Sequence, residues 1–243
     1  MKIKQLEIIA LTVVGILNWY NLKGQMQVAT YTELGRNIVD NGLYVQSAGF
    51  ASYHFKTYQL EAGFQLDLKS HQKNVLSGFT MRAIKDLHVS SFLVSMQVVY
   101  VSKPLSGILR ETNWGVISKM ELEHIKICLG TDFRTFAITR KAIREFGIQT
   151  NTKLHEIWNL IYLFGYYLKP LDNPWNVALT ITDLDNFTIE HETNPVLSLD
   201  MLVNLNPKIL LFMDTRYKCN WPFNLNMNTI GFSFRAGLKF NIP

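Results

Sequence analysis

Residues 58–69 read YQLEAGFQLDLK, and this run constrains the fold more than any other part of the chain. Tyr58, Leu60, Ala62, Phe64, Leu66 and Leu68 alternate with Gln59, Glu61, Gly63, Gln65, Asp67 and Lys69. An extended strand sends successive side chains to opposite faces. The run therefore has an apolar face and a largely polar, charged one along its whole length. Strands of globular proteins usually stop after about 5–6 residues. A tilted strand needs about 9–11 to cross the hydrocarbon of a bilayer. A strand of this length and contrast is suited to lipid on one side and a polar interior on the other.

Composition agrees. The 243 residues are 48% hydrophobic but only 18% charged, below the roughly 25% charged of soluble domains. Mean hydropathy is +0.05. A bundle of membrane helices would need several apolar stretches of about 20 residues, and no such stretch follows the N-terminal segment. One lipid-facing and one lumen-facing side per strand gives this intermediate average.

The alternation returns at the end of the chain. Ile230, Phe232, Phe234, Ala236, Leu238, Phe240 and Ile242 alternate with Gly231, Ser233, Arg235, Gly237, Lys239 and Asn241. This strand resembles the C-terminal strand of bacterial outer-membrane β-barrels, which carries a near-terminal aromatic that the barrel-assembly machinery reads. Phe240 with Ile242 matches that assembly signal, while Pro243 as the last residue departs from a terminal aromatic. The resemblance covers the mature chain and is to an architecture. It implies an all-β, transmembrane, antiparallel up-and-down barrel in the bacterial outer membrane.

Noisier alternation marks residues 75–83, 125–134, 158–168 and 197–205, and weaker candidates are 28–34, 43–55, 92–101, 108–119, 175–184 and 209–218. Together these predict about twelve strands, an even number as bacterial barrels require. The connections supply an independent check. With both termini periplasmic, short turns fall at Lys56-Thr57, near Met120-Glu121 and at Asn206-Pro207-Lys208, with a moderate one at 169–174. The longer pieces 35–42, 139–152, 185–195 and 219–228 fall on the outer side, with a helical turn expected at 142–146. Trp175 should mark the periplasmic boundary and Trp221 the outer one. Two soluble readings compete: a β-sandwich with its apolar faces in a core, and a lipocalin-like barrel with its apolar side chains turned inward.

Lys2 and Lys4 precede the apolar residues 8–17 (IIALTVVGIL), followed by Asn18, Asn21 and Lys23. That order is the pattern of a secretory signal. It divides the chain into an export signal, 1–25, and a barrel, 26–243. Removing Lys2, Lys4, Lys23 and Glu7 with the signal lowers the net charge of +5 by two, to +3. No basic run with interleaved aromatics points to nucleic acid. Cys128 and Cys219 are the two cysteines, either a disulfide or two thiols, and neither sits in a metal-binding pair.

In the predicted barrel the inward set is Glu61, Gln65, Asp67, Arg82, Lys126, Asp132, Arg134, Asp200, Asn204, Asp214, Arg216, Arg235 and Lys239. Both signs of charge occur. The set lines either a pore with crossed fields or an interior filled by paired acids and bases. About twelve strands make a narrow barrel beside 16–18-stranded porins, which favours the filled or barely permeable interior.

The functional expectation is a structural barrel or narrow small-solute channel. The alternatives are a non-catalytic subunit of a larger envelope complex and an outer-membrane hydrolase acting on lipid. Hydrolysis would draw on His54, His71, His88, His124, His155 or His191. Glu190-His191-Glu192 and His155-Glu156 are the most suggestive groups, although no Gly-x-Ser-x-Gly or His-Glu-x-x-His motif accompanies them. No cofactor is expected. The expected partners are outer-membrane lipid, the assembly machinery, other envelope proteins, and lipopolysaccharide phosphates at Arg140, Lys141, Arg144 and Lys153.

Overall fold

The computed structural model describes residues 24–37, 42–69, 76–89, 92–104, 108–147, 153–170, 173–184, 191–218 and 230–242. Twelve strands follow one another: β1 (Gln25–Asn37), β2 (Leu43–Phe55), β3 (Tyr58–Lys69), β4 (Leu76–Val89), β5 (Phe92–Pro104), β6 (Leu109–Glu121), β7 (Ile125–Ile138), β8 (Lys153–Tyr167), β9 (Trp175–Leu184), β10 (His191–Asn206), β11 (Ile209–Lys218) and β12 (Ile230–Ile242). Each pairs antiparallel with its neighbours in sequence. β12 pairs with β1 and closes the barrel, from Met26↔Ile242 to Asn37↔Ile230. The strands run 10 to 16 residues, long enough to cross a bilayer when tilted.

The side chains sort as the alternation demands. On β3, Gly63 and Gln65 are buried while Leu60 and Phe64 are exposed. On β8, Ile161 and Leu163 are buried, whereas Trp158 and Leu160 are 71% and 70% exposed. Leu129, Leu179, Leu199 and Phe232 continue this apolar exterior around the barrel. A sandwich or lipocalin would bury these rows, so both soluble readings fail. Exposed aromatics include Tyr58, Tyr166 and Trp175 near one end and Trp114, Trp158 and Tyr217 toward the other. The Lys169 ammonium lies 3.1 Å from the centroid of the Trp175 ring, a cation–π contact beside an apolar surface.

Alternate connections differ in length. Lys56-Thr57 joins β2 to β3, with Lys56 at a φ of 52°, and Pro207-Lys208 joins β10 to β11. These turns share an end with residues 25 and 242. The long connection after β7 lies at the other end and carries α1 (Arg140–Phe146). The Thr139 hydroxyl caps α1 by accepting from the Ala142 N–H at 3.3 Å, and Gly147 ends it in the left-handed conformation.

Five expectations need correction. The alternation expected through 75–83 slips by one, because Leu66 pairs with Leu76 while Gln65 pairs with Gly78. Ser77 is the extra residue of a bulge, so Leu76 turns outward and Ser77 inward. The outer connections are shorter than 35–42 and 185–195, since Gly35 belongs to β1 and β10 begins at His191. Lys153 lies in β8, and His191 and Glu192 in β10, so none of these is a loop residue, while His155-Glu156 stand near the start of β8 as expected. Asn204 is exposed, in β10 next to a register shift, and not part of the interior. Gln25, placed at the end of the export signal, is already paired with His54. The remainder of that signal (up to residue 23), Trp221, Cys219 and Pro243 lie outside the described residues.

The β8–β9 ladder is short, running from Leu163↔Thr182 to Tyr167↔Ala178. Beyond it the Asp183 carboxylate accepts the Tyr162 N–H at 2.7 Å, so a side chain stands where a strand carbonyl would otherwise serve.

A charge on the exterior of such a barrel is costly at mid-height, about 2–4 kcal/mol for Arg. Leu160→Arg on β8 should therefore lower stability by about 2–4 kcal/mol in denaturant titrations of the barrel folded in lipid vesicles. A loss near zero would place Leu160 away from hydrocarbon.

Candidate functional site: the barrel interior

The interior centres on Arg235 of β12, which is 2% exposed. Strand register sets Glu33 of β1 opposite it on one side and Asp214 of β11 on the other. Arg235 Nη2 and Nε donate to Glu33 Oε2 at 2.5 and 3.0 Å, and Nη1 lies 3.6 Å from Asp214 Oδ2. The guanidinium also stands 4.4 Å over the Tyr31 ring. The Tyr44 hydroxyl donates to Glu33 Oε1 at 2.7 Å. One cation thus binds two carboxylates from the strands flanking its own.

The row continues around the wall. Asp200 of β10 faces Asp214 and accepts from Ser198 at 2.6 Å and Thr180 at 2.8 Å. Gln46 of β2 donates to Asp67 at 2.7 Å and accepts from Gln65 at 2.7 Å. On β6 and β7, Arg134 donates to Glu111 at 2.5 Å, Asn113 donates to the same carboxylate at 3.0 Å, and Asp132 accepts from Asn159 at 2.9 Å. Arg216 is buried beside the central cluster. Toward the turn end, Arg82 pairs with Glu61 across β3 and β4, and Lys119 lies 3.1 Å from Glu121. Lys126 and Lys239 face inward near these pairs.

Arg82, Asp132, Arg134, Asp200, Asp214, Arg235 and the other residues anticipated to line the interior, Asn204 aside, therefore point into it, but not as one ring. Arg235 and Asp214 come together, as do Glu61 and Arg82, and Gln65 and Asp67 meet through Gln46. Arg134 has its partner in Glu111. Participants that escaped sequence reasoning include Glu33, Tyr44, Gln46, Glu111, Asn113, Lys119 and Glu121. Thr30 and Thr32 face outward on β1, which blurs the polar–apolar contrast that would have exposed Glu33.

The interior is also less polar than a purely charged lumen. Val99, Val101, Ile117, Cys128, Ile161, Leu163 and Leu184 form one buried apolar cluster across β5–β9. Tyr31, Ala48, Phe50 and Phe212 form a second. Gly237 sits opposite both Tyr31 and Phe212, and a Cβ there would lie 2.4 Å from the Phe212 ring and 2.4 Å from the Thr30 carbonyl oxygen. The missing side chain leaves room for the edge-to-face Tyr31–Phe212 pair, whose centroids are 6.4 Å apart. Cavities remain, among them one of about 270 Å³ and one of about 130 Å³, and Lys126 and Leu184 line both.

None of His54, His88 and His124 hydrogen-bonds a hydroxyl of a described residue. The His124 ring meets the Tyr167 carbonyl at 2.9 Å, and His54 Nε2 is buried without a hydrogen-bond partner.

A closed antiparallel barrel with an apolar exterior, aromatic residues toward both ends and a charged interior defines the class: a bacterial outer-membrane β-barrel. The short-turn end that holds residues 25 and 242 is its periplasmic end. No protein-family model matches the chain, and no curated protein matches it in sequence. Among solved structures it is similar to an outer membrane channel from Pseudomonas putida F1, at 9% identity and a TM-score of 0.56 over 90% of this chain and 96% of that one. It is likewise similar to the KdgM porin, at 6% and 0.55 over 89% and 99%. The NanC porin follows at 9% and 0.50 over 89% and 100%. At these identities the likeness is one of fold.

Removing one member of a buried ion pair leaves its partner charged and desolvated, at a cost of about 3–5 kcal/mol. Arg235→Met should lower stability by that amount, about 3–5 kcal/mol in urea-induced unfolding followed by tryptophan fluorescence. Adding Glu33→Gln should recover part of the loss. A Gly237→Val barrel overpacks the ring pair and should lose about 1–3 kcal/mol in the same titration.

Proposed function

We propose that the barrel is a narrow channel for small solutes, narrowed by its inward side chains. The carrying observation is that the closed barrel keeps cavities among its charged inward side chains, one of about 270 Å³ and one of about 130 Å³, with Lys126 and Leu184 lining both. The apolar cluster of Ile117, Ile161 and Leu163 and the Arg235 ion-pair group reduce the free interior around them. The porins and channel of similar fold are consistent with this reading but do not carry it.

The remaining features follow from the same reading. The N-terminal segment, with Lys2, Lys4 and the apolar residues 8–17, acts as the export signal. The apolar belt meets outer-membrane lipid. Phe240 and Ile242, on the outward face of β12, present the assembly signal to the barrel-assembly machinery. The basic residues of α1 and its flanks meet lipopolysaccharide phosphates.

Planar-bilayer recording tests the channel. The wild-type barrel should give small, infrequent current steps. Leu184→Ala shortens a side chain that lines both cavities and should give larger or more frequent steps, with folding verified by heat-shifted electrophoretic migration. Silence from both folded proteins would contradict the channel and leave a structural barrel.

A further inference from the structure

The larger cavity, at the periplasmic end, has a mixed lining. Its cations are Arg82, Lys119, Lys126 and Lys239, and the carboxylate lining it is Glu61. Arg82 is bound to Glu61, and Lys119 to Glu121 behind the wall. Asp86, nearby, accepts from Ser95 at 2.5 Å, and His54 lies within the same field. Lys126 and Lys239 have neither a hydrogen bond nor an ion pair with any described residue. Between these cations the lining also includes apolar side chains: Phe50, Ile84, Ile117 and Leu184 are each buried and line the cavity.

A half-buried ammonium without a counter-charge is costly, and an anion removes that cost. A second ammonium beside it doubles the attraction. Inorganic anions would satisfy the lysines but leave the apolar side chains facing water. A carboxylate on a short apolar body matches both kinds of lining, with charge-assisted bonds from its charged end and apolar contact along its body. We propose that this cavity is a binding site for a small organic carboxylate, held at its charged end between Lys126 and Lys239. As the identity of the conducted solute, this rests on the channel reading; as a binding site, it does not.

The test uses the full barrel folded in detergent, with benzoate as probe in isothermal titration calorimetry. Benzylammonium, benzamide and inorganic phosphate are the controls for charge and body. Benzoate should bind saturably, and each control should bind at least about tenfold more weakly. Lys126→Gln should weaken benzoate by about tenfold or more, and the Lys126→Gln, Lys239→Gln double variant should abolish saturable binding while keeping heat-shifted migration. Should the double variant fail to fold, the single variant still decides the matter. Benzylammonium or phosphate binding as tightly as benzoate would overturn the proposal, as would unchanged affinity in Lys126→Gln. A barrel that binds benzoate yet stays silent in bilayers contradicts the channel alone. One that conducts without binding benzoate contradicts this site alone.

Discussion

Every backbone N–H and C=O within hydrocarbon must find a partner inside the protein, because lipid offers none. For strands that requirement is met only by closure. Here closure is the pairing of β1 with β12, two segments from opposite ends of the chain, in an almost unbroken register from Met26↔Ile242 to Arg36↔Phe232. The buried contact between Glu33 and Arg235 spans that same seam. Backbone hydrogen bonds close the barrel, and the ion pair adds a register-specific contact. A shift of β12 by one residue would send Arg235 toward lipid and Phe234 into the interior.

The interior follows from the same geometry. With twelve strands the lumen is narrow, and the inward side chains reach one another across it. Charged residues pair across neighbouring strands, from Arg235 with Glu33 to Arg82 with Glu61 and Arg134 with Glu111, while inward aliphatics of β5 to β9 pack together. Small residues set the spacing. Gly63 lies opposite Phe50, and Gly237 lies between Tyr31 and Phe212, so large rings turn inward beside positions that carry no side chain. What remains includes cavities of about 270 Å³ and about 130 Å³. At the larger of these, Lys126 and Lys239 make no hydrogen bond or ion pair with a described residue.

Much of this was legible in the sequence, for a physical reason. A strand that crosses lipid cannot break its alternation cheaply, so β2, β3, β9, β11 and β12 have the bounds that their side-chain pattern indicates. The pattern weakens where the structure departs from simple alternation. The Ser77 bulge reverses β4 locally, Thr30 and Thr32 soften the outer face of β1, and Val99, Val101 and Ile117 place apolar groups on the inner one. Which strand ladders a charge will join, and hence that Arg235 lies between Glu33 and Asp214, depends on register. No local pattern encodes it.

The central claim is that lipid touches every second side chain along these strands. Spin labels placed singly on residues 60 to 66 of β3, in a Cys128→Ser, Cys219→Ser background in lipid vesicles, test it directly through collision with oxygen and with a water-soluble nickel complex. Labels at 60, 62, 64 and 66 should collide preferentially with oxygen, and labels at 61, 63 and 65 should not, giving a period of two. Uniform access to the nickel complex, or an oxygen profile without that period, would contradict a membrane-spanning barrel.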